Sequence, residues 1–136
     1  MATLRYATLL LGLVLSLCCG TATFPDPTID YIEFGTGGGF SGVVTSYRLL
    51  RDGALVDQKG KTLVQLPRAE ANNLLLRGEA LLSYSYEHPD NMYKFVHVVR
   101  GDEHARMVWS LADRDIKPEV VSLLEMLEQK LPRERG

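Results

Sequence analysis

A β-hairpin is predicted by the sequence Tyr93-Lys-Phe-Val-His-Val-Val-Arg-Gly-Asp-Glu-His-Ala-Arg-Met-Val-Trp109. Residues 93–100 and 104–109 are rich in the β-branched and aromatic side chains that favour strands. Gly101-Asp102 between them fits a two-residue turn with glycine at its first position. We therefore expect two antiparallel strands in the second half of the chain.

Earlier segments add strands, and two further segments predict helices. The predicted strands cover residues 29–34, 43–50 and 55–58, with an optional resumption at 62–66. Asp52-Gly53 supplies a hairpin turn between the second and third strands. Helices are predicted from Pro67 to Gly78, where glycine favours a helix end, and after Pro118 up to Pro132. Residues 79–87 fit strand, helix or neither. The expected fold class is α+β, a mostly antiparallel sheet of about four to five strands with two helices packed on one face.

A glycine-rich segment lies between the first two predicted strands. Residues 35–42 contain five glycines, a density that predicts no regular element. Gly37 to Gly42 formally matches G-x-G-x-x-G, but nucleotide binding requires a helix directly afterwards, and a strand is predicted instead. Two interpretations remain: a flexible connection, or a functional loop that presents Phe40 to a partner. Phe40 could equally fold back into the core.

Length, charge and motifs exclude several function classes. The chain has 136 residues, with 15 basic against 17 acidic side chains and a net charge of −2. Nucleic-acid binding through a broad basic field is therefore not expected. The serines lie in no nucleophile elbow, and the carboxylate pairs Asp52 with Asp57 and Asp113 with Asp115 fit turns. We predict no catalytic residues, no enzyme activity and no cofactor.

The two histidines of the predicted hairpin are the strongest metal-ligand pair in the sequence. A turn at Gly101-Asp102 places His97 opposite Arg106 and makes His97 and His104 diagonal neighbours on one face. A zinc site needs at least a third ligand, and Arg106 on the same face opposes a cation. The expectation is an exposed polar sheet face without a metal.

The beginning of the chain predicts export. Residues 1–22 combine Arg5, a short leucine-rich core and small residues before Thr23, which describes a cleavable signal peptide. Alternatively, Cys18 or Cys19 carries a lipid anchor. The predicted organisation is a signal peptide (1–22), an extended leader (23–28), one α+β domain (29–131) and a frayed tail (132–136). The expected location is the periplasm, the extracellular space or, with a lipid, the cell envelope, so any membrane contact would run through that anchor alone.

Three features in order carry a family resemblance. They are the loop Gly38-Gly-Phe-Ser-Gly42, the Leu66-Pro67 helix that leads through His88-Pro-Asp-Asn91 to the strand at 92–99, and the Pro118 helix with its leucines. Together they resemble emfourin-type proteins, small bacterial inhibitors of thermolysin-like metallopeptidases, and are also similar to small uncharacterised lipoproteins of Bacteroidetes. The resemblance implies a non-enzymatic protein-binding domain whose partner is a metallopeptidase. It implies that the domain occludes the peptidase cleft. We expect Gly38, Gly39, Phe40 and Ser41 to form the partner-binding loop, because Phe40 is the only large side chain among the loop glycines.

Overall fold

The computed structural model describes residues 25–134, which form one mixed sheet and two helices. The elements, in chain order, are β1 (Tyr31–Gly38), β2 (Thr45–Leu50), β3 (Ala54–Asp57), β4 (Thr62–Gln65), α1 (Arg68–Glu79), β5 (Tyr86–His88), β6 (Met92–Arg100), β7 (Glu103–Ser110) and α2 (Pro118–Glu128). The predicted signal peptide with Cys18 and Cys19, the first two residues of the leader and the last two of the tail lie outside the described residues.

The sheet has seven strands in the order β4-β3-β2-β1-β6-β7-β5. The α+β class is confirmed, but the prediction of four to five strands was too low. Two short strands account for the difference: β4 turns back to pair with β3, and β5 adds to the far edge. Every neighbouring pair is antiparallel except β5 with β7, which is parallel.

The first half of the glycine-rich segment is strand, which corrects the prediction that no regular element survives there. β1 continues through Gly38 because β2 pairs with it as far as Thr36 and β6 pairs with it along its whole length. Pairing with both neighbours at Gly35, and with β6 alone at Gly37 and Gly38, offsets the conformational freedom that glycine loses in a strand. Only the residues after Gly38 form the loop.

One face of the sheet packs against both helices and forms the core. Alternate strand residues point to this face, as the period of two requires. They form one buried cluster with the apolar stripes of the helices, which includes Ile32, Phe34, Leu49, Val96, Val98 and Met107 from the sheet and Leu74, Leu75, Leu123, Leu124 and Leu127 from α1 and α2. The opposite face, called the open face below, carries Glu33, His97 and Arg106.

Gly78 does not end α1, contrary to the prediction. The helix continues to Glu79, and Gly78 lies buried against Ile32 of β1. The absence of a side chain is needed for close packing here, rather than for a left-handed helix end. The segment after α1, which the sequence left open, forms turns and then the three-residue strand β5.

The described part of the leader packs against the domain. Pro27 and Ile29 are buried, and Arg51 donates hydrogen bonds to the carbonyl oxygens of Thr28 (2.7 Å) and Ile29 (3.0 Å). Asp30 accepts a hydrogen bond of 2.7 Å from the backbone N–H of Gly101. The chain therefore joins the sheet beside the β6–β7 turn.

Candidate functional site

The glycine loop closes with a tight turn that projects two side chains. The N–H of Gly39 donates to the carbonyl of Asn91 (2.8 Å), and the N–H of Gly42 donates to the carbonyl of Gly39 (3.2 Å). Phe40 and Ser41 occupy the two central positions of this turn, and both are exposed. The loop is thus fixed at its base by Asn91, the residue before β6, and carries one large side chain at its tip.

Positive φ angles explain the glycines at the base of the turn. Gly38 and Gly39 have φ of +95° and +83°, a region that side-chain-bearing residues rarely adopt. Gly38 also leaves no room for a side chain, because a Cβ there would stand 1.8 Å from the carbonyl oxygen of Asn91. The chain can therefore leave β1 sharply toward Phe40.

Five exposed apolar side chains lie at this end of the sheet. They are Phe40, Val43, Val44, Met92 and Leu111, which together we call the apolar end; they are all of the large hydrophobic residues exposed among residues 25–134. The pairing explains why they gather. The end of β1 meets the start of β6 at Gly38 and Met92, and Tyr93 pairs with Ser110, the last residue of β7. Exposed apolar groups concentrated at one place are typical of an interaction surface.

The return from the loop is also held in place. Gln58 donates a side-chain hydrogen bond of 2.7 Å to the carbonyl of Val44. Val43 and Val44 precede β2 and are exposed, although the sequence assigned them to the second strand. Their separation from the strand adds two apolar side chains to the same surface as Phe40.

The four residues predicted to bind a partner occupy different positions in this end. Gly38 is the last residue of β1 and Gly39 follows it, both half-buried, whereas Phe40 and Ser41 are fully outside. The exposure of Phe40 excludes the alternative in which it folds back into the core. Sequence reasoning missed Met92 and Leu111, because only the pairing of distant strand ends reveals that they neighbour the loop.

The histidine pair has the geometry that the hairpin predicted. His97 pairs with Arg106 and Val99 with His104, and the two imidazole rings lie 5.5 Å apart, edge to face. Nδ1 of His97 stands 4.0 Å from a carboxylate oxygen of Glu33, and its buried Nε2 has no hydrogen-bond partner. Among residues 25–134 no three potential ligands come together around a metal position.

The remaining carboxylate candidates stabilise turns. Asp52 Oδ1 accepts a hydrogen bond from the N–H of Ala54, and Asp57 Oδ1 accepts from those of Lys59 and Lys61. Asp113 Oδ1 accepts from the N–H of Asp115 and of Ile116 before α2 begins. These contacts are the turn roles that the sequence favoured, since aspartate commonly accepts from the backbone ahead of it.

Asp113 and Tyr86 shift each other's pKa. Partial burial, followed by the 2.8 Å hydrogen bond to Asp113 Oδ2, raises the pKa of Tyr86 to about 12. Partial burial alone would raise the pKa of Asp113, but the hydrogen bonds from Tyr86, Asp115 and Ile116 outweigh it and lower that pKa. The pair joins the edge strand β5 to the approach of α2.

Neither α1 nor α2, the helices within residues 25–134, is long and apolar enough to cross a membrane. Searches against protein-family models, curated proteins and solved structures gave no match.

Proposed function

We propose that this chain is an exported, non-enzymatic protein-binding domain that engages its partner through the apolar end. The observation that carries the proposal is the gathering of Phe40, Val43, Val44, Met92 and Leu111 at one end of the sheet. Elsewhere in residues 25–134 the large hydrophobic side chains are buried or half-buried. A surface that is apolar at one end alone suits docking of a protein there.

The specific form of the proposal is inhibition of a thermolysin-like metallopeptidase by occlusion of its cleft. Phe40 would enter an apolar subsite, and no bond would form or break. Its support is the turn from Gly39 to Gly42, which presents one aromatic ring with little bulk on either side. An aromatic anchor of this kind supplies a large share of the binding energy in many interfaces.

Inhibition assays with a thermolysin-like peptidase test this form. The full chain is expressed, its exported product is purified, and the inhibition constant is measured for the native protein and for Phe40→Ala. We expect a loss of about 30-fold or more, the size of a hot-spot truncation of about 2 kcal/mol. Asp102→Ala, in the exposed turn at the opposite end of the sheet, serves as the control and should inhibit normally.

The assay separates the two levels of the proposal. Equal inhibition by native protein and Phe40→Ala would remove Phe40 as the anchor. No inhibition by either would remove the metallopeptidase. A pull-down from envelope material then tests the broader claim with Phe40→Ala and with Met92→Lys, which places a charge in the apolar end. A partner retained by the native protein but lost with either variant would support the apolar end, and a partner retained equally by all three would overturn it.

A second form is an envelope lipoprotein that serves as a structural or ligand-binding module. It is favoured by the position of the leader, which meets the domain beside the β6–β7 turn, at the end of β1 opposite the apolar end. A lipid on Cys18 or Cys19 would leave the apolar end free. Mass spectrometry of the mature protein tests the anchor, because a chain that begins at Thr23 is free and one that begins at an acylated cysteine is anchored.

A further inference from the structure

A row of charges crosses the open face of the sheet. Arg48 of β2 pairs with Glu33 of β1, Glu33 pairs with His97 of β6, and His97 pairs with Arg106 of β7. Glu87 of β5 follows on the same face, 3.6 Å from Nε of Arg106. We call these five residues the charged row; its order across the five strands is basic, acidic, histidine, basic, acidic.

The charges of this row are only loosely paired within the chain. Nε of Arg48 lies 3.7 Å from Glu33, and Nδ1 of His97 lies 4.0 Å from the same carboxylate. With the 3.6 Å of the Arg106–Glu87 pair, these separations exceed those of hydrogen bonds. The side chains of Arg48 and Arg106 are 51% and 58% exposed, so both guanidinium groups keep donors for another molecule.

The apolar residues around the row leave little exposed apolar area for a partner to cover. Phe95 and Val108 flank it on the open face and are already buried by their neighbours. Charge, rather than apolar area, therefore determines what the face can bind. Because both signs alternate, a partner of a single charge would meet repulsion from part of the row.

Residues at equal distances on either side of His97 in the charged row carry opposite charges. A two-fold rotation about an axis through His97, parallel to the strands and between two stacked sheets, exchanges the two ends of the row. Arg48 then faces Glu87 of the second copy, Glu33 faces Arg106, and the two His97 side chains face each other. Each basic group meets an acidic one, which is the self-complementarity that a two-fold interface requires.

We propose that two copies of this chain associate face to face through the charged row, with His97 at the two-fold axis. This inference is independent of the proposed function, since the charged row shares no residue with the apolar end and the face-to-face pair leaves the apolar end uncovered. The overlap of five strands is about 20 Å by 20 Å at ordinary strand spacing and rise, so the two copies bury about 800 Å² in total, which is typical of a weak, transient interface. We therefore expect a dissociation constant in the micromolar range, about 1–100 µM.

Charge reversal at the Glu33–Arg106 pair tests the arrangement. Sedimentation velocity over a concentration series is run on the exported product of the full chain, with thermal unfolding as a check of folding. The native protein should show a monomer–dimer equilibrium. Glu33→Arg alone and Arg106→Glu alone should be monomeric, because each places like charges across the axis.

Mixing the two single variants provides the decisive measurement. In a mixed pair, Arg at position 33 of one copy faces Glu at position 106 of the other, while the native Arg106 and Glu33 face each other at the symmetric contact. The mixture should therefore dimerise where neither variant does so alone, although each still has like charges within its own chain. A native protein that stays monomeric at several hundred µM, a few times the upper limit of the expected constant, would overturn the proposal. So would a native dimer that either single variant leaves intact, or a mixture that fails to associate.

Discussion

Gly78 of α1 lies directly against Ile32 of β1. A Cβ atom at Gly78 would stand 2.5 Å from Cδ1 and 3.0 Å from Cγ1 of Ile32, whose side chain is fully buried. This contact fixes how closely α1 approaches the central strand of the sheet. A glycine normally weakens a helix interior by about 0.5–1 kcal/mol relative to alanine, so its presence here reflects the packing.

Gly78→Ala should therefore destabilise the fold, although alanine is the better helix former. We expect a decrease of about 1–3 kcal/mol in the free energy of unfolding, as for other overpacked cores. Chemical denaturation measures it. The control is the same change in an Ile32→Val background, where Cδ1 is absent and the additional loss should be smaller. An equal loss in both backgrounds would show that Ile32 is not the source of the clash.

Gly38 and Gly39 separate the cost of a backbone angle from the cost of a collision. Both have positive φ, but a Cβ at Gly39 meets nothing within 4 Å, whereas at Gly38 it would meet the Asn91 carbonyl. We expect Gly39→Ala to cost about 1–2 kcal/mol of stability and Gly38→Ala clearly more. Thermal and chemical unfolding of the two variants make the comparison. Equal losses would mean that the Asn91 carbonyl moves away freely.

His97 should make stability sensitive to mild acid. Burial lowers its pKa; Glu33 on β1 opposes this shift, while His104 and Arg106 on β7 and Arg48 on β2 add to it. The unfolded chain therefore binds the proton at a higher pH than the folded chain does. The contribution of neutral His97 to the stability of the fold is fully present above about pH 6.5 and is lost as the pH falls below that value. Melting temperatures between pH 7.5 and 5 measure the effect, and His97→Gln should flatten the profile; an unchanged profile would contradict it.

Asp113 should act in a lower pH range. Its pKa is lowered in the folded protein by hydrogen bonds, so it stabilises the fold while ionised and loses that contribution as the pH falls below the ordinary aspartate range. The melting temperature of the native protein should decrease more steeply below about pH 4 than that of Asp113→Asn. Tyr86→Phe, which removes one of the three donors, should have a smaller dependence than the native protein. Parallel curves for all three proteins would exclude this role.

The β6–β7 hairpin was predictable from sequence because its signals are local. Alternating side chains and a turn at Gly101 fix the register, and the pairing of His97 with Arg106 followed directly. The three-residue strand β5 had no such signal, since its parallel pairing with β7 depends on contacts across the fold. The sequence predicts a loop at Gly35 and Gly37 for a similar reason, because β6, the strand that pairs with both of them, is distant in sequence.

The candidate site, too, was predictable only where its signal lies in the local sequence. Phe40 could be singled out because it stands alone among glycines, which is visible in the sequence itself. Met92 and Leu111 could not, because their exposure at the same end of the sheet as Phe40 depends on which strand ends meet. Of the charged row, only the His97–Arg106 pair could be predicted from the sequence, because the other three members come from separate strands that only the sheet order aligns with it.

The attachment of the leader gives the domain a direction. Asp30 holds the start of β1 to Gly101, and eight strand residues separate this point from the turn that carries Phe40. At the usual rise the two ends of β1 are about 25 Å apart. A tether ahead of Pro25 would thus attach the domain at the start of β1 and direct Phe40, beyond the other end of this strand, away from the point of attachment. A chain tethered in this way would bind partners that approach from the side away from the anchoring surface, and would not bind components of that surface itself.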